Sequence, residues 1–134
     1  MTPMPITATL AALLAIWLLV LTIRVIGTRR SAGVSLGDGN DVTLMRRNRA
    51  QGNLTEFAPS FILVSALTEL QGGNAILLTI LAVMFLVGRL AHGWALSFSE
   101  KSPTGRIGGM FLTLVASGLG AVLCLWTTIS AYSW

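Results

Sequence analysis

An all-α membrane protein, built as a bundle of four transmembrane helices, is the fold class that three observations predict. Of 134 residues, 54% are hydrophobic and 10% charged, against roughly a quarter charged in a typical soluble domain. The mean hydropathy is +0.77. Most charges fall between long uncharged runs. A soluble domain of this length cannot bury so much apolar surface in one small core. Composition therefore excludes an ordinary soluble domain and a disordered chain, and the lone Cys124 excludes an intrachain disulfide scaffold. Within its apolar run, Cys124 reads as a small packing residue.

The first span covers residues 6–26. Ile6 to Ile23 carries no charge, and about twenty apolar residues cross a bilayer as helix. No Lys or Arg precedes the run and no A-x-A site follows, which argues against a signal peptide. Pro3 and Pro5 suit the entry to the first turn. Gly27 to Thr43 is rich in Gly, Asp and Asn and reads as a loop. The second helix begins at Asp41–Thr43, with Asp41 or Thr43 as N-cap, and its span covers residues 46–70. Arg46-Arg47-Asn48-Arg49 is too polar for lipid, and Phe57 to Thr68 is apolar. Pro59 removes a backbone donor and predicts a kink. Gln71-Gly72-Gly73-Asn74 is a tight turn between antiparallel helices. The third span covers 75–98. A polar loop over Ser99 to Gly105 precedes the fourth span, 107–130, with Trp126, Tyr132 and Trp134 as interfacial anchors.

The cations set an expected orientation. Arg24, Arg29, Arg30, Arg46, Arg47 and Arg49 flank the first loop, and Lys101 and Arg106 flank the third; the second loop has none. The positive-inside rule then puts loops one and three in the cytoplasm and both termini on the periplasmic side. Much of the net charge of +4 is topological, and nucleic acid is not expected as a partner. The same arginines suit anionic lipid or a soluble anion.

Ionisable groups inside a span are expensive and usually face a bundle interior or a wet cavity. Arg49, Asn53 and Glu56 stand at i, i+4 and i+7, toward one face of the second helix. Arg89 and His92 stand at i and i+3 near the inner end of the third. Arg24 closes the first span and Arg106 opens the fourth. Two readings of this constellation stand side by side: a Glu–Arg–Asn clamp that locks helices together, and an Arg-rich cavity for an anionic ligand. One His and no His/Cys/Glu cluster argue against a metal site, and nothing assembles a hydrolase triad.

The run Arg49-Ala50-Gln51-Gly52-Asn53-Leu54-Thr55-Glu56-Phe57-Ala58-Pro59 resembles the second-helix signature of the MAPEG family, the membrane-associated proteins of eicosanoid and glutathione metabolism. Gly88-Arg89-Leu90-Ala91-His92 is similar to the family's third-helix motif, and Arg106-Ile107-Gly108-Gly109-Met110 to its fourth-helix start. Val34-Ser35-Leu36-Gly37-Asp38-Gly39 resembles the first loop of bacterial members. The four elements keep their order and spacing over essentially the whole chain.

This resemblance implies a homotrimer with a glutathione site between subunits, open to the cytoplasmic side. It implies a bacterial inner-membrane glutathione transferase acting on hydrophobic electrophiles, with peroxidase activity as a further expectation. Glutathione is the cosubstrate. Arg49, Asn53 and Glu56 would hold the peptide, with Arg89 at its other end and Arg24 reaching in from a neighbouring subunit. Arg106 would stabilise the thiolate, and His92 would support the site by a hydrogen bond. Two positions depart from the family pattern: Leu96 and Met110 stand where members often carry Tyr. That departure favours an alternative, a non-catalytic membrane protein whose Arg-rich cavity binds lipid head groups or another small anion.

Overall fold

The computed structural model describes residues 3–99 and 102–132. Lys101 and Trp134, read above as a loop cation and an anchor, lie outside the described residues. Four helices account for nearly all of the rest: α1 (Pro5–Ala32), α2 (Val42–Leu70), α3 (Ala75–Ser97) and α4 (Pro103–Tyr132). There is no strand among the described residues.

Each boundary has a local cause. Pro5 opens α1, where its missing N–H costs nothing. The helix runs six residues past the expected Ile26, because Gly27 and Thr28 do not stop it. Gly33 does: at φ 67° it adopts the left-handed conformation that closes a helix. There its N–H donates to the carbonyl of Arg30, and that of Val34 donates to Arg29. Asp41 caps α2, its carboxylate accepting from the Leu44 N–H at 2.8 Å. Asn74 caps α3 through the N–H groups of Ile76 and Leu77. Helix α2 continues unbroken through Pro59.

Successive helices run antiparallel. Arg29 meets Asn48 at one end of the α1–α2 pair, and Glu69 meets Ile6 at the other. Arg89 pairs with Asn53, and Arg46 with Ala95, between α2 and α3. His92 meets Arg106, and Arg89 meets Thr113, between α3 and α4. The Glu69 carboxylate ties the start of α1 to the end of α2, accepting from the backbone N–H groups of Ile6 at 3.0 Å and Thr7 at 2.9 Å. Helix α1 begins without a capping side chain of its own, so a residue 62 positions further along the chain caps it instead.

The core is apolar and lies along the bundle axis. Leu10, Leu14, Leu21, Leu54, Phe61 and Phe85 are buried together. Phe61 and Phe85 stack with ring centroids 4.0 Å apart, and Gly120 makes room for Phe61. Helices α3 and α4 approach closely through glycine. A Cβ on Gly109 would stand 2.6 Å from the His92 nitrogen and 2.7 Å from the Gly88 carbonyl oxygen. Small residues of this kind let membrane helices pack backbone to backbone.

Helices α1, α3 and α4 are long and apolar enough to cross a membrane. Their outer faces expose Ile16, Leu19, Ile23, Ile80, Val83, Val122 and Leu125, more apolar surface than a soluble monomer presents. Helix α2 is long enough but not apolar enough. Arg46, Arg47, Arg49, Glu56 and the amides of Asn48, Gln51 and Asn53 account for this.

Candidate functional site

The residues expected on one face of α2 divide between two environments. Asn53 is buried, whereas Arg49 and Glu56 are exposed. The Arg49 guanidinium lies 3.9 Å from the Glu56 carboxylate, with the two side chains 66% and 55% exposed. An arc of about 60° separates Asn53 from Glu56 on the helix. That arc carries the boundary between the bundle interior and an outer polar face, which Thr55 and Ser60 continue.

Behind that face lies Arg89, the largest fully buried side chain among the described residues. It reaches from α3 to both neighbouring helices. Its Nη1 donates to Oδ1 of Asn53 at 2.6 Å and to the Asn53 carbonyl at 3.3 Å. Its Nε donates to Oγ1 of Thr113 on α4 at 2.8 Å. Nη2 lies 3.9 Å from the Met110 sulfur, and the cation lies 5.1 Å from the Phe57 ring centroid. A buried cation needs partners; here neutral oxygens and an aromatic face supply them. Arg89 and Asn53 thus hold each other across the interface of α2 and α3, and Glu56 and Arg49 face outward.

His92, one turn further along α3, is also buried. Its Nδ1 stands 2.9 Å from the carbonyl oxygen of Arg106. A carbonyl can only accept, so Nδ1 carries the proton. This bond fastens the first turn of α4 to α3, while the Arg106 side chain is exposed. Arg106 is the fourth residue of α4, where the unpaired N–H groups of a helix start add positive potential.

Arg24 bonds to the end of α3 within the same chain. Its Nε donates to Oγ of Ser97 at 3.0 Å and its Nη2 to the Ser97 carbonyl at 2.8 Å. The guanidinium also stacks 3.8 Å from the Phe98 ring centroid. Arg46 donates to the carbonyls of Ala95, at 3.0 Å, and Ser99. Two arginines therefore complement the carbonyl-rich end of α3, as cations do at helix C-termini. Arg47 turns toward α1 and donates to the Thr28 hydroxyl, while Gln51 Nε2 donates to Oγ1 of Thr22 at 2.8 Å. The roles of Arg47, Gln51 and Glu69 were missed in the sequence. Their available signal was the antiparallel pairing of α1 and α2, which brings each opposite a hydroxyl or a helix start.

Leu96 and Met110 occupy different places. Met110 sits beside Arg89. Leu96 lines a pocket of about 380 Å³ next to Arg24, Arg46 and Arg47.

The MAPEG family profile matches residues 7–126 of the chain. The inner membrane protein YecN of Escherichia coli K12 is 29% identical over 121 residues, covering 90% of this chain and 91% of that protein. YecN of Escherichia coli O6:H1 matches to the same extent. Four antiparallel helices, three of them apolar enough to span, and a profile match over most of the length converge: the chain is a membrane protein and belongs to the MAPEG family.

Proposed function

We propose that this chain is a glutathione-dependent transferase of the bacterial inner membrane that acts on hydrophobic electrophiles. The observation that carries the reading is the exposed Arg49–Glu56 pair on α2. Two charged side chains on that face are too costly to leave against lipid. A second and third copy of the chain would cover them, and a homotrimer would turn the face into a cleft between subunits. Glutathione fits such a cleft by its charges. Arg49 offers a forked donor set to a carboxylate, and Glu56 accepts from the ammonium group. Asn53, Arg89 and His92 would keep that wall of the cleft in shape, and Arg24 would define its edge toward a neighbour.

Arg106 is the residue for the chemistry. An exposed guanidinium at a helix start favours an anion, so a glutathione sulfur placed there would lose its proton more readily. The thiolate then forms the carbon–sulfur bond, and the leaving group departs with its electron pair. Lipid hydroperoxides are a second substrate class, reduced by two glutathione thiols that leave as the disulfide. The inner-membrane location rests on the name of the YecN relatives, and the expected orientation opens the cleft to the cytoplasm with both termini periplasmic.

The experiment is a titration of the detergent-purified protein with glutathione, followed by thiolate absorbance and calorimetry. Saturable binding is expected, with the thiolate signal lost in Arg106→Ala and affinity lowered in Glu56→Gln. Absence of binding at millimolar glutathione would overturn the transferase reading. A second reading, a non-catalytic member that holds lipid head groups or another small anion, draws on Leu96 and Met110. Neither side chain has a hydroxyl to offer a thiol or a carboxylate.

A further inference from the structure

At the end of the bundle where α1 and α3 finish and α2 begins, a pocket of about 380 Å³ opens between the three helices. Arg24, Thr43, Arg46, Arg47, Ser97 and Ser99 supply its polar lining. No Asp or Glu is among the described residues that line it. It is separate from the Arg49–Glu56 face: Arg47 lies about 160° around α2 from Arg49 and about 180° from Glu56.

Three guanidinium groups line this pocket, Arg24 from α1 and Arg46 and Arg47 from α2; Arg46 is engaged with the carbonyls of Ala95 and Ser99. Arg47 has one donor on the Thr28 hydroxyl, while its Nε is buried with no hydrogen-bond partner. A buried donor without an acceptor is costly, the more so on a charged group. Arg24 uses Nε and Nη2 on Ser97. Like charges sharing a cavity repel unless an anion lies between them. Leu96, Phe98 and Val42 give the rest of the wall an apolar character. Forked donors, hydroxyls and an apolar flank match a phosphate group better than a lone carboxylate.

We propose that this pocket is a phosphate-binding site, distinct from the Arg49–Glu56 face, which takes the phosphate of a membrane lipid head group or of a free phosphate ester. Arg47 and Arg24 clamp the anion from α2 and α1. The site shares Arg24 with the edge of the proposed cleft, but Arg47 belongs to this pocket alone and none of the pocket's contacts involves Arg49, Glu56 or Arg106.

The test uses the full chain in detergent, titrated calorimetrically with three probes: inorganic phosphate, short-chain phosphatidylglycerol and short-chain phosphatidylcholine. Saturable binding of phosphatidylglycerol alone identifies an anionic lipid; binding of inorganic phosphate as well identifies the phosphate group itself as sufficient. In either case Arg47→Gln should weaken the bound probe about tenfold, as expected for a lost charge-assisted bond. Arg24→Gln should act in the same direction and serves if Arg47→Gln fails to fold. Arg30→Gln, which removes an exposed cation from the same end, should leave affinity within about twofold. Three results would overturn the proposal: no saturable binding of any probe, equal losses in Arg30→Gln and Arg47→Gln, or a loss confined to Arg49→Gln.

Discussion

Arg89 places its Nη1 2.6 Å from Oδ1 of Asn53 while both residues are almost wholly buried. A guanidinium at this depth has exchanged water for the side-chain and backbone oxygens of Asn53 and the Thr113 hydroxyl. The pair sets the distance between α2 and α3 at the level of the candidate cleft, so the exposed Arg49 and Glu56 rest on it.

Removing one partner of that pair should cost more than removing both. Asn53→Leu leaves a buried cation short of an acceptor and should lower stability by roughly 2 kcal/mol. The double variant Asn53→Leu/Arg89→Met should recover part of the loss, since an apolar pair leaves nothing unsatisfied. Thermal unfolding of the single and double variants in the same detergent gives the coupling. A double variant less stable than Asn53→Leu would show that Arg89 is held chiefly by Thr113 and the aromatic rings.

Glycine packing between α3 and α4 makes a second prediction. Gly109→Ala drives a methyl into the backbone of His92 and Gly88 and should cost about 1–3 kcal/mol. Gly108→Ala meets nothing within 4 Å and should leave the melting temperature unchanged or slightly raised, because Ala favours helix. Equal melting temperatures for the two variants would mean that the helices separate without penalty.

The Glu69 cap predicts a local effect. Glu69→Gln keeps an acceptor but loses the charge that faces the α1 N-terminus, and Glu69→Ala loses both. Losses of about 0.5 and 1 kcal/mol follow from ordinary cap energetics. Hydrogen exchange at the Ile6 and Thr7 amides should rise in the order wild type, Gln, Ala. Unchanged exchange in Glu69→Ala would remove the cap from the account of how α1 begins.

His92 fastens the first turn of α4 through a single bond to the Arg106 carbonyl. His92→Asn keeps a donor near the Nδ1 position, whereas His92→Leu does not. Hydrogen exchange in the Gly105–Gly108 segment should increase roughly tenfold in His92→Leu, the size of a lost bond of about 1.4 kcal/mol, and less in His92→Asn. If both variants protect that segment equally, the Arg106 turn is held by packing instead.

The four helices, their order and the turn at Gln71–Asn74 were legible in the sequence, because hydropathy and turn chemistry are local properties; that Asp41 rather than Thr43 caps α2, and that Asn74 caps α3, came from the structure. The family motifs were legible for the same reason: each lies within one helix. The length of α1 was less so. Gly27 and Thr28 look like a loop start, yet the helix continues to Gly33, since Gly costs a helix only about 1 kcal/mol and contacts with α2, such as Arg47 on Thr28, repay it.

What the sequence determined by itself was the class of the protein and the inventory of polar groups near one end of the bundle. Which group faces which partner was decided only by the tertiary structure. Periodicity assigns a residue to an arc of a helix, and Asn53 and Glu56 fall within the same arc. Whether an arc is inside or outside depends on where the neighbouring helix crosses, and a crossing angle is a property of two surfaces together. The packing of α3 against α2 and α4 turned Asn53 and Arg89 inward as a joint between helices. It left Arg49 and Glu56 outward as a charged face, and it gathered Arg24 and Arg47, far apart in the chain, around one pocket.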